Sequence, residues 1–192
     1  MLDWPTERWT LTELARRQAE RYGEREFMRF EDGAVVSFAE LERRSTRLAH
    51  GLVALGLRPG DRLLALLLNG PSFLPLLLAT NKVGAIFVTV NTELKGAFLE
   101  HQLRNSAPRI VALDRELATA FSGIDLAGVE SIVLVGDDRA GVEALEGPRL
   151  VDLDALGGPI ENPGALVEPL ARDVSTVIYT SGTTGPSKGV LM

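Results

Sequence analysis

The sequence predicts an α/β protein in which a predominantly parallel sheet carries helices on both faces. Three observations point there. Short, unbroken Leu/Ile/Val runs recur from residue 59 onward, as in "RLLALLL", "AIFVTV", "RIVALD" and "SIVLVG", and a strand that is apolar on both sides is one covered on both sides. Helical segments alternate with these runs, the order expected of parallel strands joined by right-handed crossovers. At 192 residues and 45% hydrophobic content, the chain is long enough for a core that needs no disulfide or metal to hold it.

The elements follow in order. Residues 1–58 read as N-terminal helices and a hairpin. Thr10 with Glu13, and Ser37 with Glu40, are two capping boxes, each a hydroxyl followed three residues later by a carboxylate. The first opens "LTELARRQAERY", with Leu11, Leu14, Ala15, Ala19 and Tyr22 at helical spacing. The second opens "FAELERRSTRLAHGLVALG", where Phe38, Leu41, Leu48, Leu52 and Leu55 form one stripe and Gly56 stands at the C-terminal cap. Between the two helices, Asp32-Gly33 joins "EFMRF" to "AVVSF" as a hairpin turn.

Residues 59–192 read as the α/β core. After the strand "RLLALLL" come a helix over 71–83, the strand "AIFVTV", a helix over 95–106, the strand "RIVALD", a short helix near 115–121 and the strand "SIVLVG". Residues 136–170 are rich in Gly and Pro without a period, and are expected to be a surface excursion with one short helix. The strand "DVSTVIYT" over 173–180 then resumes the sheet. The chain ends inside or just after a further strand and reads as an incomplete domain.

Composition closes off several functions. The chain has no Cys, which excludes thiolate metal sites and fits a reducing, cytoplasmic setting. Its net charge of −6, with basic residues scattered, disfavours nucleic acid as a partner. The N-terminus carries no secretory pattern. The most apolar stretch, 63–79, is interrupted by Asn69, Gly70, Pro71 and Pro75 before it reaches the roughly 20 apolar residues that a membrane-spanning helix needs. His50 and His101 sit on helices without acidic or thiol partners at ligand spacing. Asp152 and Asp154 read as a solvated turn, and Trp4 and Trp9 as packing anchors of the first helix.

The stretch that carries chemistry is "YTSGTTGPSKGV", residues 179–190. A strand that delivers its end into Thr180, Ser181, Gly182, Thr183, Thr184 and Gly185 places hydroxyls and unhindered backbone N–H groups at the carboxyl edge of a parallel sheet, where α/β folds bind ligands. Glycines let successive N–H groups converge on an anion, and Lys188 adds a mobile positive charge. Such a loop is a polyphosphate cradle, although a polar Gly-rich turn without ligand has the same composition. A Walker loop is excluded, because Ser187 stands where its Gly belongs and Gly189 where its Ser/Thr belongs. No G-x-G occurs, which excludes a dinucleotide fingerprint.

The order of these residues resembles the signature T-S-G-[ST]-T-G-x-P-K-G of the adenylate-forming, or AMP-binding, superfamily. Thr180, Ser181, Gly182, Thr183, Thr184, Gly185, Lys188 and Gly189 fall on it, with Pro186 one place early and Ser187 in the usual proline position. The resemblance extends over the preceding chain, through "SFAEL", "GLRPGDRL" and "KVGAIFVTVN", where Thr89 stands at a common proline position. "VNTELKGAFLEHQLRNS" is similar to the acyl-CoA ligase branch, in particular crotonobetaine/carnitine-CoA ligases. The resemblance implies that the chain is the N-terminal part of the large adenylate-forming domain.

The resemblance implies ATP, Mg²⁺ and CoA as ligands, and a fatty or short acyl carboxylic acid as substrate, activated as an acyl-adenylate and transferred to CoA. It implies that Ser181, Gly182, Thr183, Thr184 and Gly185 donate to the phosphates, that Thr180 is an incoming-strand hydroxyl and that Lys188 is a charge partner. Thr183 or Thr184 is the candidate Mg²⁺ ligand. The adenylation lysine, the ribose-binding aspartate and the C-terminal domain are expected beyond residue 192, so these residues alone are expected not to catalyse, and their open sheet edges are expected to favour association. The competing class is a noncatalytic nucleotide-binding or interaction module that retains only the phosphate loop.

Overall fold

The computed structural model describes residues 4–138, 141–156, 166–180 and 187–192. Its first helix, α1 (Leu11–Tyr22), starts where the sequence places it: Thr10 Oγ1 accepts the Glu13 N–H at 3.2 Å. A second, α2 (Phe38–Ala54), starts in the same way, with the Glu40 N–H donating to Ser37 Oγ at 3.0 Å. In both boxes the reciprocal half is missing. The Glu13 carboxylate binds Arg16 and Arg17, and that of Glu40 binds Arg43, because arginines one turn on outcompete a single backbone N–H for the charge. The end of α2 is a Schellman cap on Gly56 at φ +95°, with Leu57 N–H on Leu52 O at 3.0 Å.

Glu13 has a pH consequence. Its hydrogen bond from Arg16, which outweighs the cost of partial burial, with Arg17 adding to it, lowers its pKa from 4.5 to about 2. A depressed carboxylate stabilises the fold above its unfolded pKa, and that contribution is lost as pH falls through the folded one. Acid titration of denaturant stability should therefore show a decline between about pH 4.5 and pH 2 that is shallower in Glu13→Gln. An unchanged slope in that variant would show that the arginines do not hold the carboxylate in solution.

The hairpin is β1 (Glu26–Arg29) with β2 (Val35–Ser37), antiparallel and separate from the main sheet. Its turn uses Asp32 Oδ1 to accept the Ala34 N–H at 2.9 Å, and Gly33 at φ +86°.

The main sheet contains β3 (Arg62–Leu66), β4 (Ile86–Thr89), β5 (Ile110–Asp114), β6 (Ser131–Val135), β7 (Arg149–Asp152), β8 (Thr176–Thr180) and β9 (Lys188–Leu191), in the order β7-β6-β5-β3-β4-β8-β9. All neighbours are parallel except β8 and β9. The predicted α/β class with a predominantly parallel sheet is thus the architecture found.

Apolar residues divide by strand parity. Leu63, Ala65, Phe87, Ile110 and Ala112 face one core with Leu48 and Leu52 of α2 and with Leu76 and Ala79 of α3 (Phe73–Lys82). Leu64, Leu66, Val88, Val111 and Leu113 face the other, with Leu99 and Leu103 of α4 (Gly96–Ser106) and Phe121 of a 3₁₀ segment, Arg115–Phe121. Alternation between two buried faces explains why these strands read as continuous apolar runs.

Two readings are corrected. Residues 136–170 are not only an excursion: Arg149–Asp152 forms β7 beside β6, and Leu153–Leu156 forms a one-turn helix, α5, that buries both leucines in the α2 face. A four-residue edge strand with both ends exposed has no periodicity to reveal it. The short helix expected near 115–121 is present, as the 3₁₀ segment Arg115–Phe121. In α1, Leu11 and Leu14 of the expected stripe are exposed, while Ala15 packs against Val36, Leu41 and Leu78.

An ion pair between buried Lys82 and half-buried Glu42 joins α2 to α3. Lys82 Nζ donates to Glu42 Oε1 at 2.6 Å and to Thr46 Oγ1 at 2.7 Å. Burial pulls the Lys82 pKa down and Glu42 pulls it back up.

Candidate functional site

The chain leaves β3 for α3 on one face of the sheet, and leaves the adjacent β4 for α4 on the other. Two neighbouring strands whose outgoing loops diverge make a topological switch point, and the crevice beyond their carboxyl ends is where such sheets bind ligands. Strand β8 lies parallel beside β4, with Thr89 opposite Ile178. Its carboxyl end, Thr180, therefore reaches the same edge.

The chain returns as β9, with Thr180 in register with Lys188 and Tyr179 with Gly189. Thr180 and Lys188 are both exposed. The hairpin so places a hydroxyl and an ammonium together at the mouth of the intervening loop, a donor set that suits a polyanion. Ser181, Gly182, Thr183, Thr184 and Gly185 lie outside the described residues, and with them the candidate Mg²⁺ ligand. Gly189 is required by close approach rather than by conformation: a Cβ there would stand 2.9 Å from Val177 Cγ1.

Helix α4 braces both stems of the hairpin, which the sequence reading did not anticipate. On the incoming stem, the Tyr179 phenol donates to Asn105 Oδ1 at 2.6 Å. Burial raises the Tyr179 pKa above its usual value, opposed in part by the neighbouring Ser106 side chain, so the phenol keeps its proton to donate. On the outgoing stem, Gln102 Nε2 donates to Ser187 Oγ at 3.1 Å and His101 Nε2 lies 3.3 Å from Ser187 O. A carbonyl only accepts, so this contact puts the imidazole proton on Nε2. The only hint in the sequence is that polar residues, His101, Gln102 and Asn105 among them, crowd the last two turns of α4.

The remaining candidates take ordinary roles. Among the described residues no group of three His, Asp or Glu could hold a metal, and no helix is long and apolar enough to cross a membrane. Asp152 and Asp154 do not form the expected turn: Asp152 ends β7 and pairs with Arg115, and Asp154 lies in α5. Trp4 donates to Arg8 O at 3.1 Å and lies under the Arg17 guanidinium at 4.5 Å, which makes it a packing anchor. With Trp9, Leu11, Leu14, Val167 and Met192 it lines an apolar cavity of about 800 Å³. That cavity lies at the amino edge of the sheet, beside Gly60 and Ala85, away from the Thr180–Lys188 mouth.

Comparison with known proteins gives the family and the fold. Residues 15–192 match the AMP-binding enzyme family. A feruloyl-CoA synthase from an Amycolatopsis species is 34% identical over 162 residues, covering 83% of this chain and 28% of its own length. The medium/long-chain fatty acid–CoA ligase FadD6 of Mycobacterium tuberculosis is 29% identical, over 100% of this chain and 30% of its own. The chain therefore spans less than a third of the length of these curated relatives. Among solved structures, the anthranilate-CoA ligase AuaEII has a TM-score of 0.84 at 23% identity, covering 98% of this chain and 35% of that one. A long-chain fatty acid–CoA ligase fold from Rhodopseudomonas palustris has a TM-score of 0.79 at 27% identity, covering 95% and 44%.

Proposed function

Because the chain belongs to the AMP-binding enzyme family, within the adenylate-forming superfamily, we propose that its parent protein is an ATP-dependent acid–thiol ligase that makes an acyl-CoA. The observation that carries this reading is the pairing of Thr180 with Lys188 at the carboxyl edge beside β4. It brings the ends of a Gly/Ser/Thr loop together where a polyphosphate would lie.

In this reading a substrate carboxylate oxygen attacks the α-phosphorus of ATP, and the bond to the bridging oxygen breaks to release pyrophosphate. A CoA thiolate then attacks the acyl carbon, forming the C–S bond as AMP leaves. The task of this chain is to hold the β- and γ-phosphates. Ser181, Gly182, Thr183, Thr184 and Gly185 donate hydrogen bonds, Thr180 adds a hydroxyl, and Lys188 balances charge that grows on the departing pyrophosphate. Oriented donors suit this work better than an acid or base, since no proton need move. Mg²⁺, held through Thr183 or Thr184, would neutralise part of the phosphate charge. The substrate is a carboxylic acid of aryl or fatty type, the classes named among the relatives.

The test is ATP–pyrophosphate exchange by the full-length protein across aryl, short-chain and fatty acids. Exchange stimulated by one of these classes is expected, with none from the 192-residue chain alone. ATP binding without exchange on any acid would instead point to a noncatalytic nucleotide module.

A further inference from the structure

Gln102 is a buried side chain, 4% exposed, whose one side-chain hydrogen bond among the described residues is to the β8–β9 hairpin. Its amide N–H reaches Ser187 Oγ at 3.1 Å, and its Oε1 has no partner among the described residues. His101, one residue earlier, meets the carbonyl of the same serine at 3.3 Å. Ser187 is thus held by side chain and backbone at once, one residue before Lys188. Fixing both atoms restricts the rotation that aims the next residue. Proline, usual at this place in the pattern the chain resembles, has no hydroxyl to receive the amide.

We propose that Gln102 is a positioning residue, which acts through the Ser187 hydroxyl to hold the outgoing stem so that Lys188 faces Thr180 across the mouth of the loop. This rests on the reading of Lys188 as a phosphate partner. Gln102 touches no reacting atom. A buried amide needs a partner, and the hydroxyl is the one within reach, so the contact forms whenever α4 and β9 pack. Tyr179 braces the other stem through Asn105 and the Gln102 carbonyl, without the Gln102 side chain.

The test compares Ser187→Ala, Gln102→Leu and the double variant in the full-length protein. Ser187 is only partly buried, so its variant is expected to fold even if Gln102→Leu does not. Each single change should raise KM for MgATP roughly three- to tenfold, the range for one lost hydrogen bond, with KM for the acid unchanged. The double variant should be no worse than the worse single one, because both remove the same contact. Ser187→Thr keeps the hydroxyl and should restore KM. Hydrogen exchange at the backbone amides of residues 188–190 should quicken in Ser187→Ala. Additive effects, or faster exchange without a change in KM, would overturn the proposal. An unchanged kcat/KM for MgATP in Lys188→Ala would overturn the phosphate reading instead, and the proposal with it, while stem exchange would still report on the Gln102 contact.

Discussion

Lys188→Ala in the full-length protein is expected to lower kcat/KM for MgATP in pyrophosphate exchange by roughly 100-fold, the scale for removing one donor aimed at developing charge. The expectation comes from position. Lys188 opens β9 opposite Thr180, and all four residues of that strand are exposed, so the substitution removes a charge without opening a core. Thermal stability should therefore be unchanged, which separates loss of binding from loss of fold. Lys188→Arg keeps the charge but replaces a compact ammonium with a planar fork, and should recover only part of the rate. An exchange rate in Lys188→Ala equal to that of the parent would remove Lys188 from the phosphate site.

Lys82→Ala is expected to destabilise the protein by about 3 kcal/mol, near the lower end for breaking a buried ion pair. The Lys82 side chain is 9% exposed and that of Glu42 23%, and Glu42 Oε2 already lacks a partner among the described residues. Removing the lysine leaves a carboxylate without its counter-charge between α2 and α3, with only the part that faces water relieved. Replacing both, as Glu42→Leu with Lys82→Met, fills the same space with apolar atoms and should restore most of the stability, since the pair must offset its own desolvation. Denaturant midpoints of the two singles and the double form the cycle. A double variant as unstable as the sum of the singles would mean that the residues act through packing, not as a pair.

Much of this was legible from local pattern. The helix starts at Thr10 and Ser37, the Gly56 stop, the Asp32-Gly33 turn and the strands from Arg62 to Val135 each have a short-range cause, and each appears within a few residues of its expected place. Strand β7 was not legible, since "RLVD" is too short and too exposed to show a period. The site was legible as a list of residue types in order. Its bracing was not, because Gln102 and Asn105 lie 85 and 74 residues from the groups they hold, and nothing in a helix's own periodicity marks such a partner.

By itself, then, the amino-acid sequence determined the class of fold, the alternation of its elements and the chemistry available to residues 180–188. These depend on interactions within a turn or a strand, where a few residues decide the outcome. Only the tertiary structure decided that Thr180 would face Lys188, that α4 would hold both stems of their hairpin, and that Lys82 would be buried against Glu42. Each of those pairings is a contact between segments distant in the chain, made only when two apolar faces have packed on one sheet and carried their polar neighbours together.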